Sequence, residues 1–215
     1  MNVPGLLSNG KFKRQMQYRS QEQLSKYFER VLNTKSSCFA DVTLKCGGIS
    51  IPAHKIILSA RSPVFAAMFA NPMKESRENE VDITDIDESV LRALLMFMYT
   101  GKTSDLTVSS AADLFFGADK YQLPGLKTAC SYFLKDSVSP QSVWRILAIG
   151  DLHDEALKSF AVDYICNKYD EFSVLENMQE WKALRRERPD LAIDVLVSWI
   201  KSREEKKKRK KPKRS

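Results

Sequence analysis

The stretch Ala53-His54-Lys55-Ile56-Ile57-Leu58-Ser59-Ala60-Arg61-Ser62-Pro63-Val64-Phe65 decides how the chain is read. Ala53 to Ala60 carries Ile56, Ile57 and Leu58 and reads as a short helix. Ser62-Pro63 then opens a second one. A serine side chain caps a helix start, and proline suits the first helical position because its missing N–H would be unsatisfied there anyway. That helix runs through Phe65, Met68 and Phe69 and stops at Asn71-Pro72.

Upstream, Val42, Leu44 and Cys46 alternate with Asp41, Thr43 and Lys45, and Ile49 and Ile51 resume the pattern after Gly47-Gly48. This is a β-hairpin with a tight glycine turn. Ser20 reads as the start of a first helix, with Gln23 at capping-box spacing, and residues 1–19 before it read as a flexible segment. Leu24, Tyr27, Phe28, Val31 and Leu32 fall on one face of that helix. Downstream, Val81–Ile83 reads as a strand. Asp87 or Glu88 opens an apolar helix ended by Gly101, and helices follow at about 109–120 and 125–135. From Ser139-Pro140 onward only helical periodicity remains, with core faces supplied by Trp144, Leu147, Leu157, Phe160, Ile165, Leu191, Val195, Leu196 and Trp199. The expected class is α+β: a small sheet surrounded by helices over 20–135, then an all-α region over 136–200.

The 215 residues carry 34 Lys/Arg against 27 Asp/Glu, a net of +7 that invites a nucleic-acid reading. The charge is not spread evenly. Residues 201–215 hold ten cations and two glutamates, a net of +8, and residues 1–200 are left at −1. A face built for phosphate contacts makes the folded domain itself basic. Nucleic acid is therefore not an expected partner of the folded part, and residues 201–215 read as a disordered basic tail. No apolar run approaches the roughly 18 residues that span a bilayer, so no membrane partner is expected. The N-terminus has no sustained apolar stretch, and Cys38, Cys46, Cys130 and Cys166 are far apart, which reads as reduced thiols inside a cell.

Catalysis finds no foothold. His54 and His153 lie in separate parts of the chain, and His54 reads as a hydrogen-bonded core or helix-start residue. The cysteines have no zinc spacing, and Gly47-Gly48 is a turn with nothing after it to cradle phosphate. Neither a metal, a cofactor nor an enzymatic activity is expected.

The block at 53–65, with Phe39-Ala40-Asp41-Val42, Met98-Tyr99-Thr100-Gly101 and Ala118-Asp119-Lys120-Tyr121, resembles a BTB/POZ domain, and most of all the speckle-type POZ proteins. Ile149-Gly150-Asp151-Leu152-His153 and Ala161-Val162-Asp163-Tyr164-Ile165 resemble the short BACK-like helical region of that family. The resemblance covers roughly residues 20–200. It implies a substrate adaptor or scaffold of a cullin-3 ubiquitin ligase that pairs with itself or with a related BTB protein and recruits a client. The family's MATH domain, which captures substrates, has no counterpart in the twenty residues before the first helix. Two other roles fit the same residues: a nuclear BTB transcriptional regulator, or a MATH-less partner that forms mixed dimers with full-length relatives.

The resemblance also implies sites. It puts the first helix in a two-fold interface, offering Leu24, Phe28 and Val31, with Ile57 from the helix after the hairpin. The bland reading of the same stripe is packing on its own domain. Met73-Lys74-Glu75 matches the hydrophobic-x-Glu motif of cullin-3-binding BTB proteins, with Phe69 and Tyr121 as neighbours. Asp41 and Lys55 would line a polar pocket, with a structural charge pair as the main reading and a ligand pocket as the alternative. Lys206, Lys207, Lys208, Arg209, Lys210, Lys211, Lys213 and Arg214 read as a nuclear-import signal for an importin-type receptor, since an extended cationic cluster fits an acidic groove. Loose phosphate binding and a solvated tail are the other readings of that run. The expected compartment is the nucleus, with the cytoplasm also open.

Overall fold

Gly47 and Gly48 both sit at positive φ, 56° and 87°. A two-residue hairpin whose twist matches its strands needs such backbone, and a side chain resists it. The computed structural model describes residues 5–33, 39–70, 79–103 and 105–210. In it the turn joins strands β1 (Val42–Cys46) and β2 (Ile49–Ala53), antiparallel, with Leu44 opposite Ile51. A short β3 (Glu80–Asp82) pairs with β1 in parallel, so the sheet order is β2-β1-β3. Val42, Leu44 and Cys46 point to the core, as their alternation requires. Pro52 lies exposed on edge strand β2, where a missing N–H is tolerated.

The chain divides into two units, residues 1–129 and 130–215. The first holds α1 (Gly5–Asn33), the sheet, α2 (Lys55–Arg61), α3 (Pro63–Ala70), α4 (Glu88–Thr100) and α5 (Val108–Lys120); α6 (Pro124–Asp136) crosses the boundary. Strand β2 continues through Ala53, so α2 starts at Lys55, two residues later than the apolar pattern suggests. Ser62 behaves as read: its Oγ accepts from the Phe65 N–H at 3.3 Å, and it donates to the Tyr121 carbonyl at 2.7 Å. Gly101 ends α4 in the left-handed conformation, φ 71°. Phe65, fully buried, stacks on Tyr121 with ring centroids 5.1 Å apart and on Phe69 at 5.9 Å. This aromatic stack fixes α3 against the end of α5.

Three expectations are corrected here. Ser20 does not start the first helix, and residues before it are not all flexible: α1 begins at Gly5 and runs for 29 residues. After Pro4 no helix breaker stronger than Gly10 occurs, and Lys, Arg, Gln and Met are good helix formers. The basic tail is not wholly disordered either, because α11 (Pro189–Lys210) continues through ten of its residues. Extending a helix that is already nucleated costs little. Lastly, Tyr121 is a core residue, 3% exposed, because the Phe65 stack draws it inward.

The second unit contains α7 (Val143–His153), α8 (Glu155–Lys168), α9 (Phe172–Asn177), α10 (Gln179–Glu187) and α11. Asp154 joins the first two: its Oδ1 caps α8 through the Leu157 N–H at 3.0 Å, and Oδ2 accepts from Ser131 at 3.1 Å. Trp181 is buried on the short α10, between Trp144 at 6.4 Å and Phe172 at 6.3 Å. Lys158 bridges Asp151 (2.9 Å) on α7 and Asp194 (2.8 Å) on α11. Hydrogen bonds to Asp194 and Asp151 hold its ammonium well above the usual lysine range. Arg188 also pairs with Asp151, so one carboxylate ties three elements together.

Candidate interaction surface

The apolar stripe of α1 is not spent on the chain's own core. Leu24 is 55% exposed and Val31 38%, and Phe28 is half-buried. The helix packs on α4 and leaves a groove of about 550 Å³ between α1, α2 and α4. Leu24, Phe28, Ile57, Ala60 and Met98 line it, so three of the four residues expected at a pairing surface, Leu24, Phe28 and Ile57, converge there. Val31 lies one turn further along α1. Sequence reasoning chose Ile57 and missed its neighbour: Ile56 is 77% exposed on the same rim, whereas Ile57 is half-buried. On a seven-residue helix with two adjacent isoleucines, periodicity cannot say which one faces out. At the groove wall the buried Ser25 Oγ has no hydrogen-bond partner among the described residues.

The groove floor is held by a buried pair. Tyr99 Oη accepts from the His54 N–H at 3.0 Å and lies 2.8 Å from His54 Nδ1. The hydroxyl can still donate to Nδ1 or accept from it, and the imidazole tautomer sets which. His54 is thus the hydrogen-bonded helix-start residue its position suggested. Burial pushes the Tyr99 hydroxyl up to about 12, so it keeps its proton.

Asp41 and Lys55 come together, but not as the expected side-chain charge pair. Asp41 Oδ1 accepts from the Lys55 backbone N–H at 2.7 Å, capping α2 from a different element. The Lys55 ammonium turns to Asn79 Oδ1 at 2.6 Å and lies 5.5 Å from the centre of the Phe69 ring. Asp41 is exposed and Lys55 half-buried, so desolvation does not force the two charges to pair.

Met73 and Glu75 lie outside the described residues, directly after α3. Phe69 is half-buried, clamped between Phe65 and Lys55. The buried Tyr121 ring sends its hydroxyl to Asp85, donating at 3.2 Å, and Lys120 pairs with the same carboxylate at 2.6 Å. Burial pulls the Asp85 carboxyl upward, but the Lys120 contact and the Tyr121 hydrogen bond outweigh it and hold the group below the usual carboxylate range.

Of the basic run, Lys206, Lys207 and Lys208 are described with their side chains, and Arg209 and Lys210 only as helix. Lys211, Lys213 and Arg214 fall outside the described residues. The anchor of this run was not read from the sequence. Arg203, 15% exposed at its side chain, donates to the Cys166 carbonyl at 2.9 Å and to the Tyr169 carbonyl, pairs with Asp170 at 2.8 Å and stacks on Trp199. Trp199 Nε1 donates to the same Tyr169 carbonyl at 2.8 Å. A guanidinium thereby satisfies the orphan carbonyls at the C-terminus of α8 and complements its dipole.

A three-stranded mixed sheet flanked by helices, with an uncovered apolar helix edge, defines a protein-binding module of the α+β class. The chain belongs to the BTB/POZ domain family, which it matches over residues 25–138. It is 40% identical over 166 residues to the mouse TD and POZ domain-containing protein 3, a match covering 76% of this chain and 45% of that protein. The chain thus spans less than half the length of this curated relative. Solved structures similar to it include the BTB domain of zebrafish PATZ1 (26% identity, TM-score 0.44, covering 55% of this chain and 91% of that one). Another is the BTB domain of human Gigaxonin (28% identity, TM-score 0.42, covering 62% and 96%).

Proposed function

We propose that this BTB/POZ chain is an adaptor that pairs through the α1 stripe and docks cullin-3 through the segment after α3, placing a client beside a ubiquitin ligase without doing chemistry itself. The observation that carries the reading is the exposed stripe at the mouth of an apolar groove within the family-matched residues. An identical partner covers such a stripe with an isologous contact. Met73 supplies a flexible apolar anchor beside the charge of Glu75, the composition of a hot spot with a polar rim. Two arms on one dimer make client contact bivalent, which raises effective affinity when both sites can engage together.

One set of variants tests this in pull-downs with the cullin-3 N-terminal region, with sedimentation in parallel. Leu24→Asp with Phe28→Asp is expected to convert a micromolar dimer to a monomer. Met73→Ala with Glu75→Ala is expected to abolish cullin capture and leave the dimer intact. A wild-type monomer at micromolar concentration, or capture indifferent to the second pair, sinks the assignment.

Nuclear import by the basic run is part of the same proposal. A receptor groove that reads an extended chain needs the last helical turns to unwind. Beyond Lys206 this is inexpensive, because the last tether to the fold among the described residues is the loose Lys206–Asp170 contact at 3.8 Å. A reporter fused to residues 201–215 is expected to accumulate in the nucleus. One that stays cytoplasmic removes the localisation.

A further inference from the structure

Met73 and Glu75 stand between two described ends, Phe69 near the close of α3 and Asn79 just before β3. Each end is pinned to a different part of the first unit. Phe69 stacks on the buried Phe65 at 5.9 Å, and the Asn79 carbonyl accepts from the Thr43 N–H of β1 at 2.8 Å. Asn79 holds a left-handed φ of 57°, which asparagine tolerates better than most side chains.

One side chain reaches both ends. The Lys55 ammonium donates to Asn79 Oδ1 at 2.6 Å and lies 5.5 Å from the centre of the Phe69 ring, within range of a cation–π contact. Ten residues of chain can stretch over about 33 Å, yet this one cation keeps the Phe69 ring and Asn79 Oδ1 within about 8 Å of each other. Lys55 is itself held in place, because its backbone N–H donates to Asp41 Oδ1 at 2.7 Å where α2 begins. The carboxylate thus sets the backbone of α2 and leaves the ammonium to the two ends.

We infer that Lys55 is a positioning residue for the segment that carries Met73 and Glu75: it ties the two ends of that segment to each other. The inference rests on the assignment of the segment to cullin-3. Lys55 does not touch the partner in this scheme. It acts through entropy, since a segment whose ends are joined has less freedom to lose on binding.

The test titrates the full chain with the cullin-3 N-terminal region. In parallel, trypsin cleavage after Lys74 and Arg77 is followed without cullin. Lys55→Met keeps an unbranched stem against Phe69 and removes the charge. It is expected to weaken binding about fivefold, roughly 1 kcal/mol, and to speed cleavage by a similar factor. Lys55→Arg is expected to restore both to within about twofold, because a guanidinium also donates to an amide oxygen and sits over a ring. Asn79→Gly keeps the left-handed backbone and removes the acceptor. Combined with Lys55→Met it is expected to add little to either loss, since both break the same link. Binding and cleavage unchanged in Lys55→Met, a loss that Lys55→Arg does not restore, or losses that simply add in the double variant overturn the inference. Weaker binding with unchanged cleavage would mean that Lys55 contacts cullin directly, and also overturns it. If wild-type binding is indifferent to Met73→Ala with Glu75→Ala, the cullin assignment fails instead, and the cleavage series alone decides whether Lys55 ties the ends.

Discussion

Gly150→Ala is expected to unfold the second unit at markedly lower temperature, by roughly 15 °C, for a loss of about 3 kcal/mol. Alanine in a helix normally gains over glycine. Here α7 and α8 touch backbone to backbone. A Cβ at position 150 would stand 2.3 Å from the Lys158 nitrogen and 2.6 Å from its Cα. Neither atom belongs to a flexible side chain, so the helices must separate. Separation also strains the Asp151–Lys158–Asp194 bridges that hold α11. All three tryptophans, Trp144, Trp181 and Trp199, lie in this unit, so tryptophan fluorescence during a thermal melt reports on it. Gly117→Ala is the comparison: its Cβ meets side-chain rather than backbone atoms, Val90 at 2.9 Å and Leu94 at 3.4 Å, so the contact is relieved by a small shift of α4 and the cost is smaller, about 1–2 kcal/mol. A Gly150→Ala melt within a degree or two of wild type contradicts the close approach.

Phe65→Ala is expected to cost about 4 kcal/mol in the first unit. The ring is fully buried between Tyr121 and Phe69, so its removal leaves a cavity and unstacks both neighbours. Phe69 then loses the support that holds it beneath the Lys55 ammonium, and Tyr121 the packing that aims its hydroxyl at Asp85. Hydrogen exchange at the amides of α3 and α5 reads the effect where tryptophan emission does not. Phe65→Leu refills much of the volume and should recover about half the loss. Equal exchange protection in Phe65→Ala and wild type would mean the stack does not anchor α3.

The residues from 39 to 136 were legible because their signals are local. Gly47-Gly48 can only turn, Ser62-Pro63 starts a helix by its own hydrogen bonding, and Gly101 stops one by its left-handed φ. The first half of α1 was not legible: with no core to face, residues 10–21 show no apolar period, and only the lack of breakers hints at a helix. Nor was the helical part of the basic run. Lysine-rich sequence looks the same folded or loose, and what settles it is Arg203 docked on carbonyls more than thirty residues upstream. At the candidate surface the stripe could be read, since period and resemblance agreed on Leu24 and Phe28. The Asp41–Lys55 pair misled, because a sequence reports which charges are near but not whether a carboxylate prefers a neighbour's ammonium or its amide.

The placement of Arg203 draws a line between two kinds of sequence constraint. Outward of it, from Lys207 on, nothing described in the fold depends on which cation stands where, so mutation can shuffle, lengthen or trim that stretch and alter only charge. Arg203 itself serves as the lid on α8, and losing it would expose the Cys166 and Tyr169 carbonyls to find water or a new donor. Removing the cations from Lys207 to Arg214 would therefore cancel the net charge of +7 and leave the Arg203 contacts in place.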